Sequence, residues 1–250
     1  MKKMMIAALL LATTAPLAAQ KVTPAITAAL ADSSRPAEQR ERDAARKPAE
    51  ILAFAGVKPG HKVGDFVMGG GYWTRILSPL VGAKGKVYAY QPAEFIQFRA
   101  EYGAEQTAAV AGLSNAVAVN GSFPAFSFPE QLDVIVTVQN YHDLFLAPFP
   151  KGTAESVTRK LYNSLKPGGT LLVIDHVANT DPENKAPNTI HRIDPEVARK
   201  AIQAAGFRFA GKLDVLRNTT DPHTVNVFDA AIRGKTDQFI FKFVKPRPTN

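Results

Sequence analysis

The chain contains no cysteine. No disulfide braces it in any compartment, and metal sites built on thiolates are excluded. Its five histidines include no pair four residues apart. The spacing therefore predicts no metal site. Beyond the first twenty residues, no apolar run reaches the about 20 residues that a membrane span needs. Internal repeats and low-complexity tracts are absent. No stripe of basic and aromatic residues occurs, although Lys and Arg outnumber Asp and Glu by 30 to 22. The bases are scattered among acids, as in Arg40, Glu41, Arg42 and Asp43. That pattern is a solvated surface, and no nucleic-acid partner is expected.

What is present is a globular chain with a distinctive start. At 250 residues and 46% hydrophobic content, it is long enough for one large-cored domain with an extension. Lys2 and Lys3 precede an apolar stretch, and small residues close it at Ala15, Ala18 and Ala19. This is the pattern of a secretory signal over residues 1–19. It predicts export to a periplasm and no stable membrane insertion after cleavage. Residues 20–47 then read as an N-terminal extension with a helix, and residues 48–250 as the main domain. Nothing in the chain fixes an oligomeric state.

Along the chain, residues 21–35 read as a lead-in, mobile in part. Residues 35–46 read as a charged helix in which Glu38 or Glu41 pairs with Arg42 or Arg46. Pro48 starts a second helix, stopped by Gly56. Strands are expected at 62–67, 86–90, 115–119, 132–138 and 170–174. Helices are expected at 72–81, at 95–111 with a break near Gly103, and at 154–165. Lys166, Pro167, Gly168 and Gly169 read as a turn. Residues 177–193 read as a polar loop, and Asp194 caps a helix that ends at Gly206. The last strands fall at 207–216 and 237–244, with an insertion at 217–236 between them. Alternating strands and helices predict an α/β fold with a mostly parallel sheet.

The stretch 62–77 organises the rest. A short apolar run carries one acid, Asp65. Gly69, Gly70 and Gly71 follow, and then a helix-compatible run. Strand, glycine turn, helix is the layout of a nucleotide-binding βα unit. Glycines let a ligand approach the main chain, and the helix start offers unpaired N–H groups to ligand oxygens. Only G-x-G is present, because Thr74 stands where a dinucleotide fingerprint has its third glycine. A structural turn without ligand is the alternative.

These motifs in this order resemble the class I S-adenosylmethionine-dependent methyltransferases, over about residues 48–245. VGDFVMGGG occupies the place of that family's first motif. DVIVTVQNYHDL resembles its strand-four motif, LKPGGTLLVID its turn into strand five, and DPEVARKAIQAAGF the helix before strand six. HRID and the closing VFDAAIRGKTDQFIFKF resemble a subgroup of exported predicted methyltransferases. The resemblance implies a Rossmann-like, seven-stranded, mostly parallel sheet with helices on both faces and an antiparallel last strand. It implies S-adenosylmethionine as cofactor and a small-molecule methyl acceptor. Gly69, Gly70 and Gly71 would line the methionine part, Gln91 the ribose, and Asn120 the adenine. Asp65 would orient the loop or the amino group, and Asn140 would face the same crevice. Val67 departs from the family's first loop glycine, and Gln91 from its ribose-binding acid.

Methyl transfer from a sulfonium is an in-line displacement with a neutral leaving group, so alignment away from water is the main requirement. His142 is the candidate general base, with Asp143 assisting it. Tyr141, His176 and Arg192 are candidate substrate contacts. Two other readings stay open. One is a nicotinamide-dependent oxidoreductase, which the missing third glycine and the absence of a Tyr-x-x-x-Lys pair oppose. The other is an exported ligand-binding protein on the same fold.

Overall fold

The computed structural model describes residues 21–248. The expected signal segment and its cleavage point lie outside the described residues. Five strands run parallel: β1 (Lys62–Phe66), β2 (Lys86–Pro92), β3 (Ala116–Gly121), β4 (Leu132–Val138) and β5 (Leu165–His176). Two more close the sheet, β6 (Arg208–Leu213) and β7 (Gln238–Val244). β7 inserts antiparallel between β5 and β6. The order is β3-β2-β1-β4-β5-β7-β6. The chain works outward from β1 through β2 to β3, then returns to β4 on the other side. The order reverses between β1 and β4, and ligands in open α/β sheets bind at the carboxyl ends of strands beside such a point.

Both faces of the sheet are covered, which is why β4 is nearly all apolar. Alternate residues feed two cores. Val134, Val136, Leu172 and Ile174 pack with α1 (Pro24–Leu30), α4 (Pro48–Ala55) and α5 (Tyr72–Val81). Ile135, Leu171 and Val173 pack on the other face with Leu161 of α8 (Thr153–Ser164) and Ile202 of α10 (Pro195–Ala204).

Several expectations are corrected. Part of the lead-in is a helix. The Thr23 hydroxyl caps α1, and Ile26 and Ala29 are buried in the core. The single charged helix is two short turns, α2 (Ala37–Arg40) and α3 (Asp43–Arg46). Its ion pairs also differ. Asp43 takes a two-pronged contact from the buried Arg35 at 2.7 and 2.8 Å, and a hydrogen bond from the Tyr72 hydroxyl at 2.7 Å. Long-range partners thus displace the helical pairing. Lys47 takes a left-handed φ of 50° and separates α3 from the helix that Pro48 starts.

The helix after β2 breaks at Arg99–Ala100, between α6 (Ala93–Phe98) and α7 (Glu101–Val110), and not at Gly103. The 166–169 turn lies inside β5 as a bulge: Leu165 pairs with Leu132, and Thr170 with Val134. The 177–193 segment is not all loop. It contains α9 (Ala186–Ile190), and Val177 bridges Ile193.

Candidate active site

The glycine turn is built by backbone strain and by one buried acid. β1 stops at Phe66, and Val67 and Gly69 take left-handed φ of 58° and 53°. A β-branched residue at positive φ is strained. The resembled family's glycine at that place is thus the residue the geometry asks for. Gly71 has φ 79°, and a Cβ there would come within 2.4 Å of the Ala109 Cβ. Asp65 is buried beneath the turn and accepts a 2.7 Å hydrogen bond from the Thr74 hydroxyl. Burial raises its carboxyl to about 6, against the lowering effect of Thr74. Thr74, standing in place of a third glycine, therefore ties the start of α5 to β1.

Gly69 and Gly70 line a chamber of about 450 Å³, with Met68, Trp73, Tyr102, Gln139 and Asn140. Gln91 sits fully buried behind it. Its Oε1 accepts from the Gly69 N–H at 3.1 Å, and its Nε2 is buried without a partner. Gln91 braces the loop from behind, and so does not reach for a ribose as expected. Asn120 is exposed and donates to the Gln106 Oε1 at 2.6 Å, away from the chamber lining. Glu94 accepts from the Phe123 N–H at 2.9 Å and is used there.

A second chamber of about 460 Å³ adjoins the first, and Trp73, Val138 and Gln139 line both. Gln139 ends β4 with φ 62°. Leu216, Val227 and Phe228 supply apolar wall, and His176 and Gln238 polar wall. Arg42, Arg46 and Arg233 also line both chambers. The second chamber has no carboxylate in its lining. Among the described residues, none of these three arginines forms an ion pair. Arg46 lies over the Tyr72 ring, 4.6 Å from its centroid. Burial, and then the like charge of Arg42, lowers its guanidinium to about 10. The Arg35–Asp43–Tyr72 network pins the segment that carries Arg42 and Arg46 above the strand ends.

The strand-four cluster folds inward. Tyr141 is fully buried, and its hydroxyl lies 3.0 Å from Thr158, which leaves no face for a substrate. His142 is buried, with Nδ1 2.8 Å from the Asp175 Oδ1 and Nε2 3.2 Å from the Asp143 Oδ1. Burial disfavours the charged ring, but Asp175 and Asp143 overcome it and raise the imidazole to about 10. Both ring nitrogens are thus taken by carboxylates, so His142 does not present a free nitrogen to an acceptor as the expected base would. Neither His142 nor Asp143 lines either chamber. His176 does line the second chamber. Its Nδ1 lies 2.7 Å from the Thr236 Oγ1, and burial lowers it to about 4.

Arg192 is also corrected. It is fully buried and holds Asp221 with two bonds of 2.8 and 3.0 Å. It donates further to the carbonyls of Val177 and Val225. It fastens the 217–236 insertion to the strand-five edge and has no free donor face for a substrate. Asp237 completes the clasp, accepting from Arg217, the Asn218 N–H and His223.

Sequence reasoning missed Gln139, and it gave Arg42 to a helical ion pair. The signal for Arg42 and Arg46 was their four-residue spacing, which puts both on one side of a turn. For Gln139 there was none, because a positive φ on glutamine leaves no mark in a sequence.

No family model and no curated protein matches the chain. Solved structures do. A SAM-dependent methyltransferase from Aquifex aeolicus superposes with TM-score 0.57 at 21% identity, over 90% of this chain and 100% of its own. The [4+2]-cyclase SpnF gives 0.57 at 15%, over 87% and 85%. The N-methyltransferase NodS from Bradyrhizobium japonicum WM9 gives 0.55 at 12%, over 83% and 97%. At these identities the likeness shows the fold alone.

Proposed function

We propose that this chain, which has the class I S-adenosylmethionine-dependent methyltransferase fold, transfers a methyl group from S-adenosylmethionine to a small anionic acceptor. The observation that carries the reading is the pair of adjoining chambers at the switch point. One is floored by bare glycine backbone. The other is lined by arginines without carboxylates. The donor fits the first chamber on one further ground: Trp73 offers an aromatic wall near a sulfonium. Between Val138 and Gln139 the chambers meet, which suits an in-line displacement sheltered from water. A carboxylate acceptor is already ionised and needs no general base. This agrees with an acceptor chamber whose one titratable ring, His176, is a poor proton acceptor. Export belongs to the same proposal, supported by the charged and then apolar opening of the chain.

Calorimetric titration with S-adenosylmethionine, S-adenosylhomocysteine and NAD tests this. Micromolar binding of both sulfur ligands is expected, with none for NAD. Gly70→Val should weaken it at least tenfold without unfolding the chain, because Gly70 is not at positive φ and a Cβ there meets only the Glu105 carboxylate, at 3.9 Å. Absence of both sulfur ligands at millimolar concentration overturns the proposal. It would then favour an exported binding protein, for which the engagement of Gln91 with Gly69 is the supporting observation.

A further inference from the structure

Three side chains distant in function from the donor chamber converge where β4 ends. His142 and Asp143 follow that strand, and His191 arrives at the end of α9 with a left-handed φ of 52°. The His142 Nε2 lies 3.2 Å from the Asp143 Oδ1, and the His191 Nδ1 3.9 Å from the same oxygen. One ligand atom from each of the three lies within 4.8 Å of the others. Two ligands about 2.1 Å from one ion stand roughly 3.0–3.4 Å apart. The first separation already fits, and the second needs only a small rotation of the half-exposed His191.

The surroundings match a metal centre as well. Metal-bound histidines donate their second nitrogen to a carboxylate or carbonyl, which fixes the ring and aims the first nitrogen. Asp175 does this for His142 at 2.8 Å, and is itself held by the N–H groups of His142 and His176, each at 2.8 Å. The Asn140 Nδ2 donates to the other oxygen of Asp143 at 3.2 Å. Two nitrogens and one carboxylate form a donor set suited to first-row divalent ions.

We propose that His142, Asp143 and His191 bind a divalent transition metal of the zinc class, with Asp175 and Asn140 as the positioning residues. The site backs onto the acceptor chamber. His176, which lines it, is ring to ring with His142 at 6.0 Å, and Phe228, also in the lining, packs on His191 at 5.0 Å. None of the three ligands lines that chamber, so a metal there would shape the acceptor wall from behind, through His176 and Phe228. That role rests on the methyl-transfer reading, but metal binding itself does not.

The test uses the full, tag-free chain stripped with EDTA and titrated with Co²⁺ and Zn²⁺. One Co²⁺ per chain is expected, with visible d–d bands that Zn²⁺ abolishes. His191→Gln and Asp143→Asn should each weaken Zn²⁺ at least a hundredfold, while circular dichroism stays native. Asn140→Ala should weaken it about tenfold, as outer partners of metal ligands do. A zinc-induced rise in melting temperature should disappear in His191→Gln. Absence of binding at 1 mM metal overturns the proposal, and so does binding that His191→Gln and Asp143→Asn leave unchanged. Binding of metal without S-adenosylhomocysteine would keep this site and reject the methyltransferase reading.

Discussion

The two chambers meet at Gln139 but are made in opposite ways. The donor side comes from one continuous stretch, residues 65–74, whose strand, turn and helix are neighbours in sequence. Its strain is local, at Val67, Gly69 and Gly71, and its buried acid is nine residues from its partner Thr74. The acceptor side is assembled from far apart. Arg46 comes from the N-terminal segment, Gln139 and His176 from strand ends, and Phe228 and Arg233 from the insertion. Its fastenings are buried charges, Arg35 with Asp43 and Arg192 with Asp221.

If that contrast is right, one substitution should loosen the acceptor side and leave the donor side intact. Arg192→Met has the largest expected effect. It leaves Asp221 buried with its N–H donors but without its counter-charge, at a cost of about 3–5 kcal/mol. Urea unfolding should read that loss, and limited proteolysis should open the 217–236 segment first. Affinity for S-adenosylhomocysteine should change less than threefold. Equal damage to both functions would mean that the chambers form one cooperative unit.

A smaller effect, of opposite sign, is expected on the donor side. The Asp65 carboxyl rises from 3.8 to about 6 on folding, so the native state prefers it protonated. Below pH 3.8 both states carry the proton and nothing is lost. As pH rises from 3.8 to 6, the unfolded chain ionises first, and native stability falls. Above 6 the penalty is constant. Asp65→Asn removes it while the amide oxygen still accepts from Thr74. The variant should therefore gain roughly 1–3 kcal/mol above pH 6 and nothing near pH 3.5. Paired urea titrations at the two pH values decide this.

The same contrast explains what could be read in advance. Strand β4 and helix α5 were legible to the residue because apolar runs and glycines mark them. The glycine turn was legible because its contacts are near in sequence. Arg192 was misread because a lone arginine in a polar loop looks the same whether it faces solvent or fills a buried clasp. His142 was misread as a base because its second carboxylate, Asp175, lies 33 residues away. The histidine cluster was invisible for the same reason, since its third member arrives from α9. Spacing rules find ligands only when one element carries them.

The smallest change in stability should come with the sharpest change in binding, at Arg46. It has no carboxylate partner among the described residues, and burial, followed by the like charge of Arg42, lowers its guanidinium. Removing it breaks no ion pair but loses the stack on the Tyr72 ring, so Arg46→Met should cost about 0.5–1 kcal/mol. Benzoate is an anionic, apolar probe sized for the acceptor chamber. Its binding should weaken about tenfold, as expected when a charged hydrogen bond is lost. Arg233→Met should weaken it less, because Arg233 is exposed and screened. S-adenosylhomocysteine also carries a carboxylate and competes for the assignment. If Arg46→Met weakens that ligand and spares benzoate, Arg46 belongs to the donor. The boundary between the chambers then lies beyond Trp73, with Arg42 and Arg233 left to receive the acceptor. If benzoate alone suffers, Arg46 is the anion contact of the acceptor chamber, and the N-terminal extension determines which acceptor the site admits.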